Sequence, residues 1–322
     1  MDSIGGFLEF ELLNQPSLNE DPFNYFNSGR SAFAYLLKIQ GIKNIVIPLY
    51  TCDVLLEPLE KLGIDYTFYN IGENLLPNER SRNILDNQPH ILTNYFGILD
   101  SALLTINRSN SIIDNSQALY SKVKGGLGSF NSFRKFLGIP DGALAAFDSP
   151  SRENIPEQFP HYKVGSKLSY LFNRIEIGPE KSYHEFKLAD EALQFEEILS
   201  ISEISMRIFN RVNHEKVKSL RKQNFTYLHE RLQVKNKLEI TMTQDFYPLA
   251  YPLLIQNGEA LKNFLIRKKI YIPTFWPNSR IVLPDDSFEK YLRQNLVALP
   301  IDQRYGLKEM NYIVESINNF GK

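Results

Sequence analysis

Apolar residues recur in the first half of the chain as short, nearly continuous runs at 44–48, 66–71, 90–94, 111–114, 128–133 and 143–147. Runs of this length predict strands, and their lack of in–out alternation predicts strands covered on both faces. Between the runs lie helical patterns. Gly29-Arg30-Ser31-Ala32 leads into an apolar-periodic stretch at 33–39, with Ser31 or Ser28 near the N-cap and Gly41 closing it. Residues 53–62 form a second helix, stopped by Gly63. Strands alternating with helices predict βαβ units and an α/β fold with a mostly parallel sheet.

The pattern changes after about residue 150. Residues 150–185 read as loop, rich in proline and aromatics. A long helical stretch is predicted from about 188 to 232, with Val217, Leu220, Phe225, Leu228 and Leu232 on its apolar face. Strands at 237–242, 249–255 and 270–273 and helices at 258–268 and 307–319 complete the chain. This predicts an N-terminal arm (1–21), a large α/β domain (22–205) and a smaller C-terminal α/β domain (206–322). No internal repeat or low-complexity segment is present.

Composition narrows the function. The 322 residues carry 36 Lys plus Arg against 37 Asp plus Glu, a formal charge of −1. That balance provides no whole-protein field for nucleic acid or an anionic membrane. The basic run Lys216, Lys218, Arg221, Lys222 reads as the wet face of an amphipathic helix. Hydrophobic residues at 43% suffice for a core. The single cysteine, Cys52, excludes an intrachain disulfide framework and a cysteine zinc site, and reads as a packing residue. The five histidines show no ligand spacing, so no metal is expected. No apolar run reaches the ~18 residues of a membrane span, and the first residues carry acids where a signal peptide has bases. A cytoplasmic enzyme or binding protein is the expectation.

Chemistry concentrates at 111–143. Asp114 ends a predicted buried strand, at the edge where ligands of open α/β sheets collect. A carboxylate there is costly unless it meets a cation or donors. Lys135 follows in the segment between two further strands, and its neighbours Phe133, Phe136 and Leu137 predict a buried amine. Burial lowers a lysine's pKa, and a neutral amine forms a Schiff base with an aldehyde. An acid for a pyridine nitrogen and a lysine for an aldehyde carbon are the pair that pyridoxal 5'-phosphate (PLP) requires.

With these residues in place, the chain resembles the DegT/DnrJ/EryC1/StrS family of PLP-dependent sugar aminotransferases. Gly29-Arg30-Ser31-Ala32 resembles the family's Gly-Thr-x-Ala phosphate turn. Residues 45–53 resemble the segment over the cofactor ring, Asn94-Tyr95-Phe96-Gly97 a strand-plus-Gly segment, and Asp114-Asn115-Ser116-Gln117-Ala118 the Asp-x-x-Gln-Ala motif. Ser132-Phe133-Arg134-Lys135 with Asp141-Gly142 resembles the Ser-x-x-x-Lys…Gly-Gly stretch, and Leu299-Pro300-Ile301 the closing Leu-Pro-Leu.

The resemblance implies fold type I: a mostly parallel mixed sheet in a large domain, a smaller C-terminal domain, and a homodimer. It implies Lys135 as the Schiff-base lysine, Asp114 at the pyridine nitrogen and Gln117 near the ring hydroxyl. Gly29, Arg30, Ser31 and Ser132 would hold the phosphate. Tyr50, Thr51 and Cys52 would lie at the cofactor, with stacking on the ring falling to Tyr50 or to a residue elsewhere. It further implies an amino donor such as glutamate, a nucleotide-linked keto-sugar acceptor, and a place in amino-sugar or surface-polysaccharide synthesis. The dehydratase branch of the family carries histidine in place of the lysine.

Four departures stand out. The Asp-to-Lys interval is short. Phe130 occupies the usual phosphate-serine position, with Ser129 and Ser132 beside it. Cys52 follows Thr51 where an aromatic is common, and Ile198-Leu199-Ser200 replace the Asn-Tyr-Arg that reaches a partner subunit's site. They leave open a second class of function, a catalytically weak relative that binds PLP or a sugar nucleotide. Trp276 either packs under a loop or faces substrate.

Overall fold

The computed structural model describes residues 24–148, 159–194, 196–243, 245–277 and 280–321. The predicted arm, 1–21, lies outside them. In chain order the elements are β1 (Tyr25–Phe26), α1 (Gly29–Ile39), β2 (Asn44–Pro48), α2 (Leu56–Leu62), β3 (Asp65–Tyr69), α3 (Glu79–Leu85), β4 (His90–Thr93), α4 (Asp100–Leu104), β5 (Ser111–Asn115), β6 (Gly128–Asn131) and β7 (Ala143–Ala146). There follow α5 (Ser169–Glu176), α6 (Pro179–Glu191), α7 (Glu203–Arg211), α8 (His214–Leu232), β8 (Ala250–Leu254), α9 (Gly258–Arg267), α10 (Phe288–Asn295), β9 (Leu296–Pro300) and α11 (Leu307–Asn318).

Seven strands form one sheet in the order β1-β7-β6-β5-β4-β2-β3. The five strands from β2 to β6 run parallel, while β7 is antiparallel to both its neighbours. Period-two alternation divides the core between the sheet's two faces. Ile45, Ile47, Ile91 and Ile112 pack with α1 and α2. Val46, Leu92 and Ile113 point the other way and join Phe225 and Leu228 of α8, Val297 and Leu299 of β9, and Ile313 of α11. Both faces are therefore covered, which explains why the strands read as unbroken apolar runs. The small sheet pairs β8 with β9 antiparallel.

Several predicted elements are corrected. The stretch 188–232 is three helices: α6 runs to Glu191, Ser202 caps α7 by accepting from Ser205 N, and Asn213 caps α8 by accepting from Lys216 N. Each cap supplies an acceptor that starts a new helix. Residues 150–185 are not all loop, since α5 and the start of α6 fall there; Pro179 is helix-initiating, behind Gly178 at φ 88°. Residues 237–242 and 270–273 form no strand among the described residues; Lys237 N donates to the Leu254 carbonyl, but Leu238 N turns to Asn236 Oδ1, and Ile270 N donates to Leu265 O. Among the described residues, no helix is long and apolar enough to cross a membrane.

Candidate active site

The parallel strands end at one sheet edge, and Asp114, the start of α1 and the Lys135 turn lie along it. Asp114 lies beside Thr93 of β4 and Phe130 of β6. It is 8% exposed. Its Oδ1 accepts from Ser116 N at 2.8 Å. No hydrogen bond reaches its Oδ2 among the described residues. A buried carboxylate with an oxygen to spare is suited to a cationic N–H donor.

The N-terminus of α1 meets the same edge. Ser28 caps it by accepting from Ser31 N at 3.2 Å. A Cβ added at Gly29 would sit in ordinary contact, 3.4 Å from the Asn131 carbonyl oxygen and 3.7 Å from Ser116 Oγ, and would fill the cradle that glycine leaves here. Orphan N–H groups and the helix dipole favour an anion there. Asn27, fully buried at the end of β1, has an Nδ2 with no partner. Asn27, Ser116 and Asn131 were not among the predicted site residues; the even spacing of Ser116 from Asp114 was the available signal.

Arg30 and Ser31 are placed differently from expectation. Arg30 Nε lies 3.2 Å from Glu57 Oε2, and its Nη1 donates to the Leu193 carbonyl at 2.9 Å. Ser31 Oγ donates to the Glu197 carbonyl at 3.4 Å. Helical rotation turns both side chains away from the edge that the Gly29 backbone faces. Ser132 stands just past β6, and its hydroxyl makes no capping bond to the following turn. Ser129 is buried within β6 in register with Ile113. Phe130 stacks on Phe33 of α1, with centroids 5.2 Å apart.

Lys135 ends a single turn of 3₁₀ helix, Phe133–Lys135. It is exposed, contrary to the expectation of a buried amine. The threefold period of the turn sends Phe133 and Phe136 into the core and Lys135 out. Lys135 lies close enough to Cys52 for its charge to act on the thiol: burial pushes the thiol's pKa up, and the charges of Lys135 and Arg30 oppose this. Tyr50 does not face this space. The alternation of β2 continues through it, so its ring is buried with Tyr95 (5.6 Å) and Trp276 (4.7 Å). Burial raises its hydroxyl well above the usual tyrosine range. Thr51 is also buried. Cys52 is thus the side chain of this segment that faces Lys135.

No protein-family model matches the chain, and no curated protein matches it in sequence. Solved structures do match. A DegT DnrJ EryC1 StrS aminotransferase from Brucella abortus is 14% identical, with 93% of this chain covering 86% of that one at a TM-score of 0.63. Helicobacter pylori PseC, an aminotransferase involved in pseudoaminic acid biosynthesis, is 14% identical, with 91% covering 85% at 0.60. The E. coli GDP-4-keto-6-deoxy-D-mannose-3-dehydratase, with bound hydrated PLP, is 14% identical, with 91% covering 86% at 0.60. The chain has the fold that these three structures share.

Within this fold, two local arrangements shape the edge. Gln117 is buried, and its Oε1 accepts from Phe96 N at 2.7 Å. Its Nε2 has no acceptor among the described residues and remains the group available to a ligand. Phe96 adopts φ 57° and Gly97 φ 70°. A Cβ at Gly97 would fall 2.8 Å from the Gln117 carbonyl oxygen. We expect Gly97→Ala to destabilise the fold by about 2–4 kcal/mol, from left-handed strain plus overpacking, measured as a lowered urea midpoint at constant m-value.

The segment that replaces Asn-Tyr-Arg does not project outward. Asn27 N donates to the Leu199 carbonyl at 3.0 Å, and Ser200 bridges to both Phe26 and His161. Nearby, Asp141 is fully buried and accepts from Ser202 N (2.7 Å), Ser202 Oγ and Ser205 Oγ. Burial raises its pKa, and these hydrogen bonds oppose the rise. This anchor fixes the chain that follows the Lys135 turn.

Proposed function

We propose that the chain is a PLP-dependent aminotransferase. It would take an amino group from an amino acid, with glutamate the donor, and pass it to a keto acceptor, a nucleotide-linked keto-sugar. One observation carries this reading: Asp114, buried with a spare carboxylate oxygen, shares the strand-end edge with the open N-terminus of α1 and the Lys135 turn. The fit to PLP rests on this donor set, on the Gly29 cradle and on the orphaned Asn27 amide. When bound, PLP supplies the electron sink that lets a bond at the substrate's Cα ionise.

The chain's own residues do the rest. Asp114 would accept the ring N–H and keep that nitrogen protonated. Gln117 Nε2 would donate to the ring hydroxyl oxygen. The N–H groups at the start of α1, with Ser116 and Ser132, would hold the phosphate. Lys135 Nζ would attach the cofactor and would move the proton at the substrate's Cα. The reading includes a cytoplasmic homodimer, a PLP-binding domain at 22–205 and a smaller domain at 206–322.

A second reading, a relative that binds PLP or a sugar nucleotide without turnover, draws on the pairing of Arg30 with Glu57 and on residues 198–200 lying against β1. One experiment separates the two. Protein loaded with PLP is mixed with glutamate and its visible spectrum followed. Conversion to the pyridoxamine form, reversed by a 2-oxo acid, is the expected result. Binding without conversion across the common amino donors would favour the second reading.

A further inference from the structure

Arg221 lies on the helix face that the sequence assigns to solvent, yet it is the largest fully buried side chain among the described residues, 1% exposed. No carboxylate lies within ion-pair distance of it among the described residues. Its Nε donates to Gln303 Oε1 at 3.0 Å, its Nη1 to the carbonyls of Pro248 (3.3 Å) and Leu249 (3.0 Å), and its Nη2 to the Phe136 carbonyl at 3.4 Å. The guanidinium carbon sits 4.4 Å from the centroid of the Phe136 ring. Burial lowers its pKa to about 10, against the attraction of Asp302.

A cation buried among neutral carbonyls is costly, and an apolar residue of similar volume would avoid that cost. What the guanidinium provides instead is reach, because its rigid fork bonds several segments at once. One of these is the Lys135 turn. Phe136 directly follows Lys135, and its carbonyl also accepts from Gln303 Nε2 at 2.8 Å. Gln303 is therefore held at both ends, by Arg221 and by Phe136. The other branch runs through Leu249, whose N–H donates to the Phe96 carbonyl at 2.8 Å, while Phe96 N donates to Gln117 Oε1.

We propose that Arg221 is a positioning residue that holds the Lys135 turn, through Gln303 and Phe136, and Gln117, through Leu249 and Phe96, in fixed relation to each other. The roles of Lys135 and Gln117 toward a cofactor rest on the function proposed above; the coupling of the two segments does not.

The test is amide hydrogen exchange on the full chain without added cofactor, with Gln303→Ala and Arg221→Lys. Gln303→Ala removes the Gln303 link of the first branch and leaves only the 3.4 Å bond from Arg221 Nη2 to the Phe136 carbonyl: the amides of 133–137 should exchange about tenfold faster, as expected for loss of one buried hydrogen bond, while those of 96–97 stay protected. Arg221→Lys keeps the charge but lacks the fork, so both segments should exchange faster. After loading with PLP, Gln303→Ala should keep the visible absorbance but lose about half of the induced circular dichroism of the cofactor band. A merely structural role would not give this separation.

The proposal is overturned if Arg221→Lys loosens only one segment or neither. It is also overturned if Gln303→Ala leaves 133–137 as protected as in wild type, an outcome that stands even where Arg221→Lys does not fold. A wild-type protein that takes up no PLP would end the aminotransferase reading and leave the exchange pattern to decide the coupling.

Discussion

Lys135→Ala, loaded with PLP, should show none of the bound-cofactor absorbance of wild type and gain no mass on borohydride reduction. Its half-reaction with glutamate should fall by at least about 10³-fold, since one side chain is both the covalent attachment and the proton carrier. The substitution should cost little stability. Lys135 is exposed, while Phe133 and Phe136 hold the turn from the core side. A urea midpoint close to wild type, together with the lost absorbance, would separate chemistry from folding. An unchanged spectrum would remove Lys135 from its proposed role.

Asp114→Asn is the second large effect. The variant keeps the shape and an oxygen for Ser116 N, now bonded at 2.8 Å, but removes the charge that would hold the ring nitrogen protonated. Breaking a buried charge pair costs about 3–5 kcal/mol. If about 3–4 kcal/mol of that is lost in the transition state, the rate falls by about 10²–10³-fold. The cofactor should still be trapped on Lys135 by borohydride. A half-reaction within about threefold of wild type would show that Asp114 is not the ring's counter-charge.

The fold and the site were legible in the chain to different degrees. Strands such as 44–48 and 111–114 were readable because burial on both faces leaves an unbroken apolar run. The break of 188–232 into separate helices depended on Ser202 and Asn213, single caps inside a helical pattern. At the site, Asp114 and Gly29 were readable from a strand end and a helix start. The burial of Lys135 was misjudged because its apolar neighbours point inward from a 3₁₀ turn while it points outward. Arg30 was drawn off by Glu57, which no local pattern announces. Arg221 was assigned wrongly to the wet face of its helix, because the oxygens that receive it come from segments around 136, 248 and 303. Long-range partners of this kind leave no trace in spacing.

The sheet face formed by Val46, Leu92 and Ile113 shares one core with Leu85 of α3 and Leu103 of α4, and also with α8, β9 and α11. Part of that core is thus encoded in the last third of the message. While the ribosome is still extending the chain that part is missing, and the apolar side chains it meets lie open to chaperones or to other nascent chains. Loss of even the final helix, by a premature stop codon or by proteolysis, would uncover the apolar sides of α8 and α9 on which it packs.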